Sequence, residues 1–192
     1  MINTLVFILL GLFWFLFLGR TVMLTTRGIR VLVLAKGKSA LEKLLEIIFI
    51  PALPLWTAQT ASTALGGALI PAPPLWDAGV TGWVGVILCA AGLALFVSAL
   101  ISFGNAWRVG IDEAGSRLVT SGAFAISRNP IFLFMDIYFF GTFLVYPTLF
   151  FMLFFVFAAL GIHMQILNEE KSLLSRFGSE YVEYRQKVRR YF

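Results

Sequence analysis

The stretch that decides the fold is Leu118-Val119-Thr120-Ser121-Gly122-Ala123-Phe124-Ala125-Ile126-Ser127-Arg128-Asn129-Pro130, together with the apolar run 131–167 that follows it. A turn signal, Tyr146-Pro147, divides that run, and Asn168-Glu169-Glu170-Lys171 follows it. Because about 20 apolar residues are needed to span a bilayer as a helix, 131–167 predicts a hairpin of two membrane helices. If the hairpin enters the membrane and returns, the polar residues before and after it meet on one face.

The composition of the whole chain supports a membrane location. Of the 192 residues, 59% are hydrophobic and 13% are charged, whereas a soluble domain carries about 25% charged residues. The sequence therefore predicts an all-α integral membrane protein. Its net charge of +5 comes from basic residues between apolar runs. That placement indicates membrane topology and anionic lipid headgroups rather than nucleic acid.

Working outward from the hairpin, three further apolar runs predict three more membrane helices. The third of the five helices is rich in glycine and alanine, which favours close helix packing. Pro51 and Pro54 should kink the second. Cys89 cannot form an internal disulfide, because it is the one cysteine of the chain. The five predicted helices are 2–18, 44–65, 80–103, 131–145 and 148–167, and a cytoplasmic tail follows the last of them.

The distribution of basic residues predicts the topology. All fifteen lysines and arginines lie in 20–43, 104–129 and 168–192, and none lies in the turns 66–79 and 146–147. Cytoplasmic loops are enriched in lysine and arginine. We therefore expect a multi-pass protein with its N-terminus outside and its C-terminus and polar site in the cytoplasm.

The residues that meet at the polar end of the hairpin form a candidate site. Positions 163 and 170 are two helical turns apart, and positions 165 and 169 are one turn apart, so each pair shares a helix face. A solvated helix end is the alternative interpretation of the two glutamates. One histidine without a nearby cysteine is a poor transition-metal ligand set, so we expect no metal. The candidate residues are Arg128, Asn129, Pro130, His163, Gln165, Glu169 and Glu170.

These motifs resemble the isoprenylcysteine carboxyl methyltransferase family, which is related to the membrane phospholipid N-methyltransferases. The similar pattern is Leu118 to Phe124, Arg128-Asn129-Pro130, a hydrophobic hairpin, then Glu169-Glu170 and a Phe177-Gly178 pair. The resemblance covers the chain from residue 104 onward. It divides the chain into a scaffold of membrane helices, 1–103, and a methyltransferase-like core, 104–192.

The resemblance implies an enzyme that uses S-adenosylmethionine and a lipophilic or lipid acceptor entering from the bilayer. The cofactor-binding residues it implies are Arg128, Asn129, Pro130, Glu169 and Glu170. To these we add His163 and Gln165 from their helix faces, and we expect catalytic roles for Arg128, Glu170 and His163, the last as a possible base. Carboxylates suit the positive charges of the cofactor, and a guanidinium can bind its carboxylate.

The sequence departs from the family pattern at four positions. Asn129 replaces a histidine, Phe132 a tyrosine, Phe134 a glycine and Gln165 an arginine. Two alternatives stay open. One is an NADPH-dependent membrane sterol or steroid reductase, since those enzymes have a similar C-terminal pattern. The other is a non-catalytic membrane scaffold, which Asn129, Phe132 and Phe134 motivate. Asp136 lies within the fourth helix, where an acid is costly, so it should face protein or a water-filled cavity.

Overall fold

A computed structural model describes residues 1–28, 40–103 and 118–192, and for 40–46 it describes the backbone alone. The basic segments predicted at 20–43 and 104–129 lie partly outside these residues. No strand forms within the described ranges. The five helices are α1 (Ile2–Thr26), α2 (Ala40–Ala64), α3 (Gly79–Phe103), α4 (Pro130–Val145) and α5 (Leu149–Lys187).

The prediction of an all-α membrane protein is confirmed. Helices α1, α3 and α5 are each long and apolar enough to cross a membrane, and α4 is a shorter apolar helix of 16 residues. The hairpin predicted from 131–167 is formed by α4 and the first half of α5. Pro130 is the first residue of α4, where its missing N–H removes no helical hydrogen bond.

Two predicted helix ends were wrong, and both helices are longer than expected. Helix α1 continues beyond residue 18 to Thr26. Its last turns hold the hydroxyls of Thr21 and Thr25, which donate to the carbonyls of Phe17 and Thr21, each at 2.8 Å, so these polar side chains are satisfied within the helix. Helix α5 continues beyond residue 167 to Lys187. A drop in hydropathy marks where a helix leaves the apolar region, and it does not by itself end the helix.

Helices α3 and α4 approach each other closely through small residues, as predicted. A Cβ atom on Gly141 would lie 2.7 Å from Cys89 Sγ, and one on Gly85 would collide with the Gly141 carbonyl. Buried Cys89 contacts the Tyr138 carbonyl through its thiol at 3.6 Å. The close contact fixes the position of α4 and therefore of the residues at its start.

An aromatic core joins α1, α3 and α4. The ring of Phe134 is buried and stacks on Phe96 with centroids 4.6 Å apart. Phe13 of α1 lies 5.6 Å from the Phe134 ring. The large side chain at position 134 therefore packs into the core of the helix bundle.

The two turns without basic residues lie at the same end of the bundle. The Leu75 amide donates to the Pro147 carbonyl at 2.6 Å, which links the turn after α2 to the turn between α4 and α5. This arrangement is the one expected if both turns lie on one side of a membrane. The side that each end faces stays a prediction.

Gly178 breaks α5 and lets the chain return. Its φ of +52° lies in the left-handed region, which glycine adopts without strain. In a straight helix Lys187 would lie about 25 Å beyond Glu170. The three residues from 188 to 190 could span only about 10 Å of that distance. The break therefore allows the C-terminal tail, which we define as residues 188–192, to reach the start of α4.

Candidate functional site

The centre of the candidate site is a carboxylate held by two arginines. Glu170 Oε1 accepts from Arg128 Nη2 at 2.8 Å, and Arg190 Nη2 donates to Glu170 Oε2 at 2.8 Å. Arg190 Nε adds a third bond, to Glu170 Oε1, at 3.1 Å. The side chains of Arg128 and Glu170 are only 8% and 10% exposed. The hydrogen bond to Glu170 raises the pKa of Arg190 above its usual value, so the arginine stays charged.

The C-terminal tail is bonded to the residues that begin α4. The Arg128 amide donates to the Arg189 carbonyl at 3.0 Å. The Arg190 carbonyl accepts from Ser127 Oγ at 3.1 Å and from Asn129 Nδ2 at 3.2 Å. The amide at position 129, where the family pattern has a histidine, thus anchors the tail without carrying charge.

His163 contacts the same tail one residue further on. Its Nδ1 lies 2.6 Å from the Tyr191 hydroxyl, and the two rings lie nearly parallel with centroids 6.2 Å apart. His163 and Glu170 therefore both face the tail, from positions two turns apart on α5. The tail closes over this side of the helix.

The segment before α4 is positioned by a short 3₁₀ turn, Gly122–Ala125. Gly122 has φ +64°, and a Cβ atom there would collide with Ser102 of α3, whose Oγ accepts from the Ala123 amide at 3.0 Å. On the other side, the buried Tyr184 hydroxyl donates to the Phe124 carbonyl at 2.6 Å. The turn is therefore held between α3 and the end of α5.

The structure brings four of the predicted site residues together around the tail: Arg128, Asn129, His163 and Glu170. Pro130 directly follows Asn129 and is the first residue of α4. Gln165 and Glu169 are half-buried on α5 and make no hydrogen bond or ion pair with the described part of the chain. Glu169 is thus an acidic side chain beside the cluster that no described arginine neutralises.

Sequence reasoning missed three residues of this cluster: Ser127, Arg190 and Tyr191. Arg190 is 20 residues from Glu170 and Tyr191 is 28 residues from His163, so helix periodicity could not pair them. The signal in the sequence was the combination of Gly178, a residue that favours a chain reversal, with an Arg-Tyr pair soon after it.

A comparison with protein families agrees with this arrangement. The model of the family described as phospholipid methyltransferase matches residues 80–180, which is more than half of the chain. The chain belongs to the phospholipid methyltransferase family. This is the family of the isoprenylcysteine carboxyl methyltransferase-like membrane enzymes, so the resemblance predicted from the motifs is confirmed. No curated protein matches the chain.

Membership of the phospholipid methyltransferase family implies that the protein is an integral membrane methyltransferase. The matched residues include α3, α4 and most of α5, and they end before the tail. Arg190 and Tyr191 therefore lie outside the matched region. Within the described residues, no group of three or more histidine, cysteine, aspartate or glutamate side chains could hold a metal ion.

Proposed function

We propose that this protein transfers a methyl group from S-adenosylmethionine to a lipophilic or membrane-partitioned acceptor. The observation that carries the proposal is the cluster of Arg128, Glu170 and Arg190 at the polar end of the hairpin, in a member of a membrane methyltransferase family. Both guanidinium groups and both glutamates lie at a membrane boundary, where a polar cofactor and a lipophilic acceptor can meet.

The chemistry of these residues fits the cofactor. S-adenosylmethionine is a zwitterion with an additional positive charge, so its site needs both cationic and anionic side chains. Arg128 Nε and the Tyr181 hydroxyl are buried and have no hydrogen-bond partner among the described residues. Buried polar groups are normally paired, so these two are available to a ligand.

The residues divide into two charge roles. Arg128 and Arg190 can bind a carboxylate, and a guanidinium binds one with two parallel hydrogen bonds. Glu169 is the carboxyl group left for the cationic part of the cofactor, because Glu170 is already bonded to both arginines. Burial and then the charge of Glu170 raise the pKa of Glu169 to about 7, and a cation bound beside it would favour its ionised form. Asn129 can donate and accept hydrogen bonds without adding charge.

The bound cofactor supplies a methyl group on a sulfonium, which already has a good leaving group. The protein then contributes mainly position and the exclusion of water. The tail excludes water, since Tyr191 covers His163 and the Arg190 carbonyl is bonded to Ser127 and Asn129. The apolar lengths of α4 and α5 lead from this site into the bilayer, which supports a lipophilic acceptor.

The distribution of lysine and arginine supports a cytoplasmic site. Arg128 and Glu170 lie at the end of the hairpin opposite the Pro147 turn, where the basic segments also begin. A cytoplasmic site has direct access to a soluble cofactor, while the acceptor arrives through the membrane.

Calorimetric titration of the full chain in detergent tests the cofactor directly. We expect saturable binding of S-adenosylmethionine and no binding of NADPH, run under identical conditions. Binding of NADPH alone would assign the protein to the reductases. Binding of neither by a folded sample would favour the non-catalytic scaffold.

A further inference from the structure

The segment before α4 is bonded to the last turns of α5 at two points. The Tyr184 hydroxyl donates to the Phe124 carbonyl at 2.6 Å, and Arg128 Nη1 donates to the Arg185 carbonyl at 3.3 Å. Tyr181 belongs to the same interface, because its ring centroid lies 6.1 Å from that of Tyr184 and both rings pack in one buried cluster with Phe124. These five residues join the segment to the helix.

Two polar atoms of this interface have no partner among the described residues. Tyr181 is only 1% exposed, and its buried hydroxyl makes no hydrogen bond. The same holds for Arg128 Nε, although the Nη1 and Nη2 atoms of this arginine are bonded to Arg185 and Glu170. A buried polar group without a partner costs free energy. An interface that keeps two of them is therefore suited to a ligand that supplies the missing acceptors.

The chemistry of the two groups favours an anion. An Nε–H group can only donate, and a phenol hydroxyl donates most strongly to a charged oxygen. The charge of the cluster favours the same ligand, because the guanidinium groups of Arg128 and Arg190 face the single carboxylate of Glu170. One positive charge is thus in excess among these three residues. A carboxylate has two oxygens, so it can accept one hydrogen bond from each free donor.

We propose that Tyr181 is a specificity-determining residue, whose hydroxyl binds the carboxylate of S-adenosylmethionine together with Arg128 Nε. This inference rests on the proposed methyltransferase function. Because two nitrogens of Arg128 are already bonded to Arg185 and Glu170, the Tyr181 hydroxyl supplies the second hydrogen bond to the carboxylate. Tyr181 lies one residue beyond the region that the family model matches, so the family match does not assign it a role.

Two forms of the cofactor test this role. Decarboxylated S-adenosylmethionine keeps the adenosine, sulfonium and ammonium groups and lacks the carboxylate. Each form is titrated by calorimetry into the full chain in detergent. We expect the wild type to bind the decarboxylated form at least about 10-fold more weakly, because hydrogen bonds to a charged group are strong. Tyr181→Phe should weaken the binding of S-adenosylmethionine by about 10-fold and leave that of the decarboxylated form unchanged.

The stability of the unliganded protein gives a second readout, which a purely structural role for the hydroxyl would reverse. Tyr181→Phe removes a buried hydroxyl without a partner, so the Tm of the unliganded variant should equal or exceed that of the wild type. Tyr184→Phe is the matched control on the same helix. It removes a hydroxyl that is bonded to the Phe124 carbonyl, so it should lower Tm and keep the ratio of the two affinities.

Equal weakening of both ligands by Tyr181→Phe, or no weakening of either, overturns the inference. The second result is the one expected if the two donors bind the phosphate of a lipid headgroup instead. A fall in Tm as large as that of Tyr184→Phe also overturns it, since the hydroxyl would then have a partner within the protein. Saturable binding of S-adenosylmethionine that Tyr181→Phe leaves unchanged refutes the role of Tyr181 alone. Binding of neither form by the folded wild type refutes the methyltransferase proposal as well.

Discussion

Glu170→Gln is expected to weaken cofactor binding strongly and to loosen the C-terminal tail. In the native protein the Glu170 carboxylate holds Arg128 and Arg190, each through a bond of 2.8 Å. The amide keeps the size of the side chain and removes its charge, so two guanidinium groups remain beside each other without a counter-charge. Breaking a buried ion pair on one side costs about 3–5 kcal/mol. We expect the Kd for S-adenosylmethionine to rise at least about 100-fold and Tm to fall.

Glu183→Gln is the control for this substitution. Glu183 is exposed on the same helix, beyond the Gly178 break. The substitution removes the same charge as Glu170→Gln does, but Glu183 contacts none of the cluster residues. We expect an unchanged Kd and Tm. If both variants bound the cofactor as tightly as the wild type does, Glu170 would have no part in the cofactor site.

Arg190→Gln weakens cofactor binding by about 10-fold or more, because a hydrogen bond to a charged group contributes about 1.5–3 kcal/mol. Arg190 anchors the tail to Glu170 through two nitrogen atoms. Without this anchor the tail is held only by its bonds to residues 127–129 and to His163. The tail should then open the site to water and become sensitive to protease.

Lys187→Gln provides the comparison for the tail. Lys187 is an exposed cation three residues earlier, at the end of α5. It should behave as the wild type does, both in calorimetry and in limited proteolysis. Tighter cofactor binding by Arg190→Gln would show that the tail competes with the cofactor, and would contradict its role as a wall of the site.

The membrane fold could be predicted from the sequence because one physical signal dominates it. Apolar runs long enough to span a bilayer are separated by charged or proline-rich segments, and the hairpin in 131–167 follows from this alone. Helix ends were harder to predict. Residues 19–26 and 168–187 are too polar for a membrane span, yet their backbone hydrogen bonds continue the helices already begun.

The candidate site was predictable where its residues lie on one helix or directly before one. Positions 163 and 170 follow from the period of the α-helix, and Arg128 and Asn129 from their place before Pro130. Arg190 and Tyr191 were not predictable in this way. Their contacts depend on the reversal at Gly178, where a single positive φ angle redirects the eleven residues between Gly178 and Arg190.

Phe134 shows a second limit of reasoning by pattern. The family pattern has a glycine there, and from size alone a phenylalanine in its place predicts a narrower pocket. The ring lies against Phe96 and Phe13 in the core, where it fills the space between α1, α3 and α4. A comparison of residue types shows the size of a side chain. The direction in which that side chain points depends on how the three helices pack.

Transfer of a labelled methyl group tests the central claim most directly. The full chain in lipid nanodiscs is incubated with S-adenosylmethionine carrying a radioactive methyl group and a membrane lipid extract, and the organic phase is then counted. We predict label in a lipophilic product, and loss of that label in the Glu170→Gln variant but not in Glu183→Gln. Saturable cofactor binding with no label in any lipophilic product, or equal labelling by both variants, would contradict the account.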